Sequence, residues 1–275
     1  MASRYSTKII KAGALPADSR AFLRAYDLRL SLQQNLRQAL RENIFGKASR
    51  SRVQDILPIF RQRFLTRPGL ARALHCLVEA DVHPAIVDRI LYYHAAKADV
   101  LLYEFVTDFV YKKRQAGESA LLADDARRYV TGLVRSQALA WSPTTIRRVT
   151  QGLLATLRDF RILEGAARKR LAPVYLPLEV FLYVVFALHL ENSSGERLIH
   201  HGDWRLFLVT PGEVEAWFLE AHRLKWLDYQ VAGRLVRVEL HLTTPEELIH
   251  AIAGRTDEDT GSGSIGRSHA DQRLP

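Results

Sequence analysis

Residues 124–163 read DDARRYVTGLVRSQALAWSPTTIRRVTQGLLATLRDFRIL, and the fold is decided in this stretch. Tyr129, Val130, Leu133 and Val134 recur at three- and four-residue steps, the period of an amphipathic helix, so Asp124 to Leu139 reads as one helix. Ala140-Trp141-Ser142 makes a tight turn. Ser142 suits an N-cap, because its hydroxyl accepts a backbone N–H that the first turn leaves orphaned. Pro143 follows at the first helical position, where its missing N–H costs nothing. The second helix then runs from Pro143 to about Leu163 and buries Ile146, Val149, Leu153, Leu154 and Leu157. Its first two turns carry Thr144, Thr145, Arg147, Arg148 and Gln151. A helix, a short turn and a second helix with basic and polar residues at its N-terminal end form the helix-turn-helix arrangement, in which that end enters a major groove. Arg takes guanine edges there, Gln takes adenine edges, and Thr with the helix N-terminus takes phosphate. A plain αα-hairpin with a purely structural second helix has the same spacing. The flanking Arg168-Lys169-Arg170 favours nucleic acid.

A second unit of this kind lies upstream. Ser31 to Asn43 reads as a helix, Ile44 to Ala48 with Gly46 as a turn, and Ser49 or Ser51 as the cap of a helix through Phe64. Ser51 with Gln54 fits a capping box. Arg50 and Arg52 stand at the start of this helix, with Arg61 and Arg63 further along, and Lys47 lies in the turn before it. Pro58 inside the helix predicts a kink, which suits a phosphate-contacting surface better than a recognition helix. Between the two units, Pro84 to Phe109 carries one long apolar stripe, so it too reads as a helix.

Downstream, Pro173 and Pro177 mark an extended linker, and Glu179 to Leu190 is apolar nearly all round, the signature of a buried helix. A third helical pair follows, Asp203 to Leu208 and Glu213 to Leu224, with Thr210 and Glu213 spaced as a capping box. Leu227, Tyr229 and Val231, then Leu235, Val236 and Val238, flank Ala232-Gly233-Arg234 and predict a β-hairpin. Helix then hairpin is the winged-helix order. Glu213, Glu215 and Glu220 line the helix and repel phosphate, so this unit reads as structural or protein-contacting, with Trp204, Trp217 and Trp226 in the core. From Gly254 the chain is poor in apolar residues and reads as a disordered tail. No internal repeat of fixed period is evident. The fold class is mainly α: a compact multi-helix protein with helix-turn-helix elements and a small wing-like β-hairpin near the C-terminus. Four regions follow: a basic helical region 1–72, a helical region 73–172, a winged-helix-like module 173–253 and the tail 254–275.

Charge follows the same division. Of 275 residues, 39 are Lys or Arg and 30 Asp or Glu, a net charge of +9, and the excess is concentrated. Residues 1–72 hold 15 basic and 4 acidic side chains, and residues 112–172 hold 13 and 5. Residues 173–275 hold 9 and 15, so the cations gather around the two helix-turn-helix units. Most are Arg, whose planar fork suits phosphate, and clustered Arg in a basic chain is the electrostatic footprint of a polyanion binder.

Several classes are excluded or set aside. One cysteine, Cys76, makes no intramolecular disulfide and reads as an inert buried thiol. The longest apolar run, Val180 to Leu188, is nine residues, against the roughly 20 of a membrane span. No secretory signal is evident, so a cytoplasmic location is expected. Gly261, Gly263 and Gly266 match a dinucleotide fingerprint by letter but follow no strand and open no helix. There is no Walker sequence and no Gly-x-Ser-x-Gly elbow. His189, His200, His201 and His222 lack metal-ligand spacing, so neither a metal nor another cofactor is expected.

The sequence resembles the BrxA proteins of BREX phage-defence systems. The resemblance rests on Arg4-Tyr5-Ser6-Thr7, Gly13-Ala14-Leu15, the run from Arg41 to Ser49, Phe105 to Phe109, Trp141-Ser142, and Pro177 to Phe181 with the region up to Trp204. It covers roughly residues 4–240. It implies a mainly helical, non-catalytic DNA-binding protein working beside a methyltransferase, ATPases and a phosphatase-like protein. The family is also described as resembling NusB, an RNA-binding helical protein. Three readings stand at this point: duplex DNA bound through Lys47, Arg50, Arg52, Arg61, Arg63, Thr144, Thr145, Arg147, Arg148, Gln151, Arg168, Lys169 and Arg170; a protein-interaction scaffold; and an RNA-binding bundle.

Overall fold

The computed structural model describes residues 4–166, 168–191, 195–233 and 235–262. It is mainly helical, with two small antiparallel two-stranded sheets. An N-terminal strap, residues 4–15, makes one 3-10 turn at Lys8–Ile10 and leads into α1 (Pro16–Arg24). α2 (Leu32–Arg41) starts at a capping box in which Ser31 accepts from the Gln34 N–H and the Gln34 side chain bonds the Ser31 N–H at 2.8 Å. α3 (Arg50–Phe64) is capped by Ser49, so Ser51 lies inside the helix, and the helix runs through Pro58. α4 (Pro68–Glu79) and α5 (Pro84–Ala98) follow.

The stripe expected to make one helix over 84–109 makes several. Asp99 leaves the helical region at φ −125°, ψ 102°, and its carboxylate caps α6 (Val100–Glu104) through Leu101 and Leu102 N–H. A π-helical stretch, Phe105–Val110, then leads into α7 (Tyr111–Gln115). A capping carboxylate offers the backbone an alternative to the next helical bond, and apolar periodicity is blind to it.

α8 (Ala123–Ser136) and α9 (Pro143–Asp159) form the hairpin read from the sequence, and Ser142 Oγ accepts from the Thr145 N–H at 3.1 Å. α9 stops four residues before Leu163. Leu163–Glu164 (β1) pairs instead with Arg170–Leu171 (β2), and the backbone of Ser119 and Leu121 bonds the outer edge of β2.

α10 (Leu178–His189) is buried on all sides from Val180 to Leu188, as its all-round apolar sequence requires, and packs against α5. Beyond it come α11 (Glu196–Ile199), a 3-10 turn at Gly202–Phe207 and α12 (Pro211–Arg223), whose Thr210–Glu213 capping box forms as expected. The predicted hairpin is β3 (Leu227–Ala232) with β4 (Leu235–Leu240), in the register Leu227 to Leu240. Tyr229 stacks on Phe218 and so holds the hairpin to α12.

The C-terminal reading needs correction. α13 (Pro245–Ser262) opens on Thr244, which accepts from the Glu247 N–H, and buries Leu248, Ile249 and Ile252, with the helix packed on α4. The helix carries on through Gly254, where a tail was expected to begin. Residues 263–275 of that expected tail lie outside the described residues. One hydrophobic cluster runs from Tyr5 to Ile252 and includes Trp204, while Trp217 and Trp226 pack against it half-buried.

Candidate nucleic-acid interface

Two grooves carry the arginines. The first opens between α2 and α3, has a volume of about 870 Å³, and is lined by Arg37, Arg41, Lys47 and Arg50 over Leu30, Leu40 and Val53. The second opens between α8 and α9, has a volume of about 820 Å³, and is lined by Arg127, Arg128, Arg135 and Arg147 with Thr131, Pro143, Thr144 and Ile146. In both, a serine N-cap places the start of the second helix at the groove. The two apolar faces are built alike. Val53, Ile56, Phe60 and Phe64 on α3 step at the same intervals as Ile146, Val149, Leu153 and Leu157 on α9.

The cations differ in how much the fold already uses them. Arg37, Arg50, Arg61, Arg135, Arg147, Arg148 and Arg168 are exposed and have no side-chain partner among the described residues. Arg127 pairs with Asp124 at 3.1 Å and Arg128 with Asp125, both across i,i+3. The Arg127–Asp124 pair is exposed on both sides, and such pairs are worth about 0–1 kcal/mol and release the guanidinium readily; Asp125 is largely buried and also meets Lys113 at 3.3 Å. Thr144 and Gln151 are exposed, while Thr145 is half-buried and its hydroxyl meets Ser142 Oγ at 3.0 Å.

Other expected contacts are occupied. Arg63 is buried at 5% exposure. Its guanidinium donates to the main-chain oxygens of Ala12 at 2.8 Å and Ala14 at 3.4 Å, so it anchors the strap and is removed from the interface. Burial brings its pKa down to about 10, and the half-buried Asp99 carboxylate offsets part of that cost. Arg52 is half-buried and donates to Lys11 O. Lys47 pairs with Asp18 at 2.9 Å. Arg170 pairs with Glu164 at 2.6 Å, and Lys169 donates to Ala166 O at 2.8 Å. The sequence reading missed Arg37, Arg41, Arg127, Arg128 and Arg135, because the helix-turn-helix pattern points to the second helix of each pair. The signal was present: each lies on the first helix of its pair, and Arg37 and Arg41, four residues apart, share one helix face, as do Arg128 and Arg135, seven apart.

The unit of α12 and the β3–β4 hairpin offers different chemistry. Glu213 is committed to Arg114 at 3.0 Å and to the Thr210 cap, and Arg114 with that cap holds its carboxyl below the usual range. Leu219, Val231 and Leu235 are exposed on α12 and the hairpin. Among the described residues no group of His, Cys, Asp and Glu is arranged to hold a metal ion, and no helix is long and apolar enough to cross a membrane.

The architecture defines a mainly helical protein with two helical hairpins, each with a serine-capped second helix and an arginine-lined groove. The chain belongs to the BrxA family, whose model matches residues 3–186 and so spans both hairpins. That membership makes it a BREX-associated protein, and the family is not a known catalytic one. No curated protein sequence matches the chain. The crystal structure of an uncharacterized protein from Magnetospirillum magneticum has a similar fold. The TM-score is 0.58 at 19% identity, over 74% of this chain and 98% of that one.

Proposed function

We propose that the chain is a non-catalytic accessory protein of a BREX system that binds duplex DNA in the cytoplasm, through the α2–α3 and α8–α9 grooves. One observation carries this reading: the arginines lining the two grooves include Arg37, Arg50, Arg135 and Arg147, exposed and without an acidic partner among the described residues, with the equally free Arg148 next to Arg147 on α9. Exposed guanidinium groups left unpaired beside a helix N-terminus are suited to phosphate, where counterion release supplies the affinity. Thr144 and Gln151 stand where a major-groove helix reads base edges. Arg168 is an outlying phosphate contact on the β1–β2 loop.

The test is fluorescence anisotropy of a labelled duplex against salt, with structured RNA as competitor. Six to ten phosphate contacts lower affinity by about 10³–10⁵ between 50 and 200 mM salt. A flat salt dependence removes the proposal, and preferential displacement by RNA replaces DNA with RNA as the ligand. The exposed Leu219, Val231 and Leu235 favour a second role, contact with another BREX protein through the winged unit.

A further inference from the structure

The strap separates the two basic helices, and its contacts fix which way each one faces. Lys8 Nζ meets Gln62 and Lys11 Nζ meets Asp55, both on α3. Arg52 and Arg63 of α3 donate to the main-chain oxygens of Lys11 and Ala12. The intervening strap residues touch α9 instead. A Cβ on Gly152 would lie 3.2 Å from Ile9 O, and a Cβ on Gly13 would lie 2.9 Å from Thr156 Oγ1. Neighbouring strap residues therefore pack on opposite helices, with the strap between them.

Successive helical residues advance by about 100°. On α3, the strap-facing residues Arg52, Asp55, Gln62 and Arg63 centre about 170° around the axis from Arg50, and Arg61 falls within about 20° of Arg50. On α9, Gly152 and Thr156 centre about 160° from Arg147, and Gln151 falls about 40° from Arg147. α3 thus turns Arg50 and Arg61 away from the strap, and α9 turns Arg147 away from it, with Arg148 on the side of α9 about 100° from Arg147. With the strap lying against both helices, the two cationic faces stand on different flanks of a helix–strap–helix arrangement whose helices are each about 10 Å across.

We infer that one chain holds two separate duplex segments, one on each flank, and so bridges DNA. This rests on the DNA-binding reading above. A single duplex serving both flanks must bend around the arrangement. Bending a duplex carries an elastic cost that rises with the square of the angle. Two segments meet both faces without that deformation.

The experiment uses the full chain and two short duplexes of roughly 20 bp, about two helical turns, one biotinylated on beads and one fluorescent. Native mass measurement at saturation gives the number of duplexes per chain. Two duplexes on a single chain, and capture of the fluorescent duplex on the beads, are expected for the wild type. Arg50→Glu/Arg61→Glu and Arg147→Glu/Arg148→Glu alter only exposed side chains. Each is expected to keep one duplex and to lose capture. A wild type that saturates at one duplex per chain overturns the bridge and leaves DNA binding intact, as does capture retained by either variant. A wild type that binds no duplex overturns the DNA-binding reading itself.

Discussion

The buried guanidinium of Arg63 on α3 donates to the main-chain oxygen of Ala12, 51 residues earlier, at 2.8 Å. A side chain that looks from sequence like one more surface cation therefore ties down the N-terminus. Arg63→Met keeps much of the volume and removes the donors, leaving two strap carbonyls short of partners. The expected loss is about 1–3 kcal/mol, seen as a lower urea midpoint. Arg50→Glu, on an exposed position, is expected to stay within about 0.5 kcal/mol of wild type. An unchanged midpoint for Arg63→Met would return this cation to the surface.

The α8 arginines separate a groove from a lone recognition helix. Arg127 and Arg135 face the same opening as Arg147. Arg127→Glu and Arg135→Glu are each expected to weaken duplex binding and to make the log–log salt slope shallower by about one. Anisotropy titrations at several salt concentrations read both. Affinities equal to wild type would confine the interface to α9.

Acid sensitivity has an identifiable source in His94. Its Nε2 lies 2.7 Å from Tyr183 Oη in a fully buried site, and burial lowers its pKa from 6.5 to about 3. The unfolded chain binds this proton near pH 6.5, whereas the folded chain resists it. Stability from His94 is thus complete above about pH 6.5 and falls toward pH 3, by up to about 1.4 kcal/mol per unit. His94→Phe keeps a ring but cannot titrate. Thermal melts at pH 7 and pH 5 are expected to show a smaller drop for the variant than for wild type. Equal drops would assign the acid sensitivity elsewhere.

Thr156 carries the unsatisfied polar atom of the strap contact. Its Oγ1 is buried beside Gly13 and has no hydrogen-bond partner among the described residues. Thr156→Val replaces the hydroxyl with a methyl of similar shape, and a gain of about 1 kcal/mol is expected. Gly13→Ala is expected to do the reverse, because its new Cβ would stand 2.9 Å from that oxygen. Chemical denaturation of both variants checks the pair, and a destabilised Thr156→Val would mean that the hydroxyl has a partner after all.

Local signals were legible wherever one residue type settles a local question. Ser142 before Pro143, the Thr210–Glu213 box and the Gly233 turn all formed where the sequence placed them, since caps and tight turns are decided within four or five residues. The all-round apolar run Val180 to Leu188 became the buried helix it reads as. Asp99 broke the stripe over 84–109, and β1–β2 ended α9 early, because each depends on what the backbone meets across the fold. α13 was legible at its start, where Thr244 and Glu247 are spaced as a cap, and was passed over for the polar composition that follows.

Composition and periodicity by themselves determined a mainly helical chain with two serine-capped helical hairpins and a surplus of arginine around them, because helix period, caps and charge are properties of neighbouring residues. Only the tertiary structure decided which arginines are free. Lys47, Arg52, Arg63 and Arg170 are taken up by Asp18, Lys11, Ala12 and Glu164, partners that lie from six to 51 residues away. The same packing turned the two cationic faces outward, since the strap occupies the space between α3 and α9. A cation's availability is set by what the folded chain places beside it, and local spacing carries no record of that.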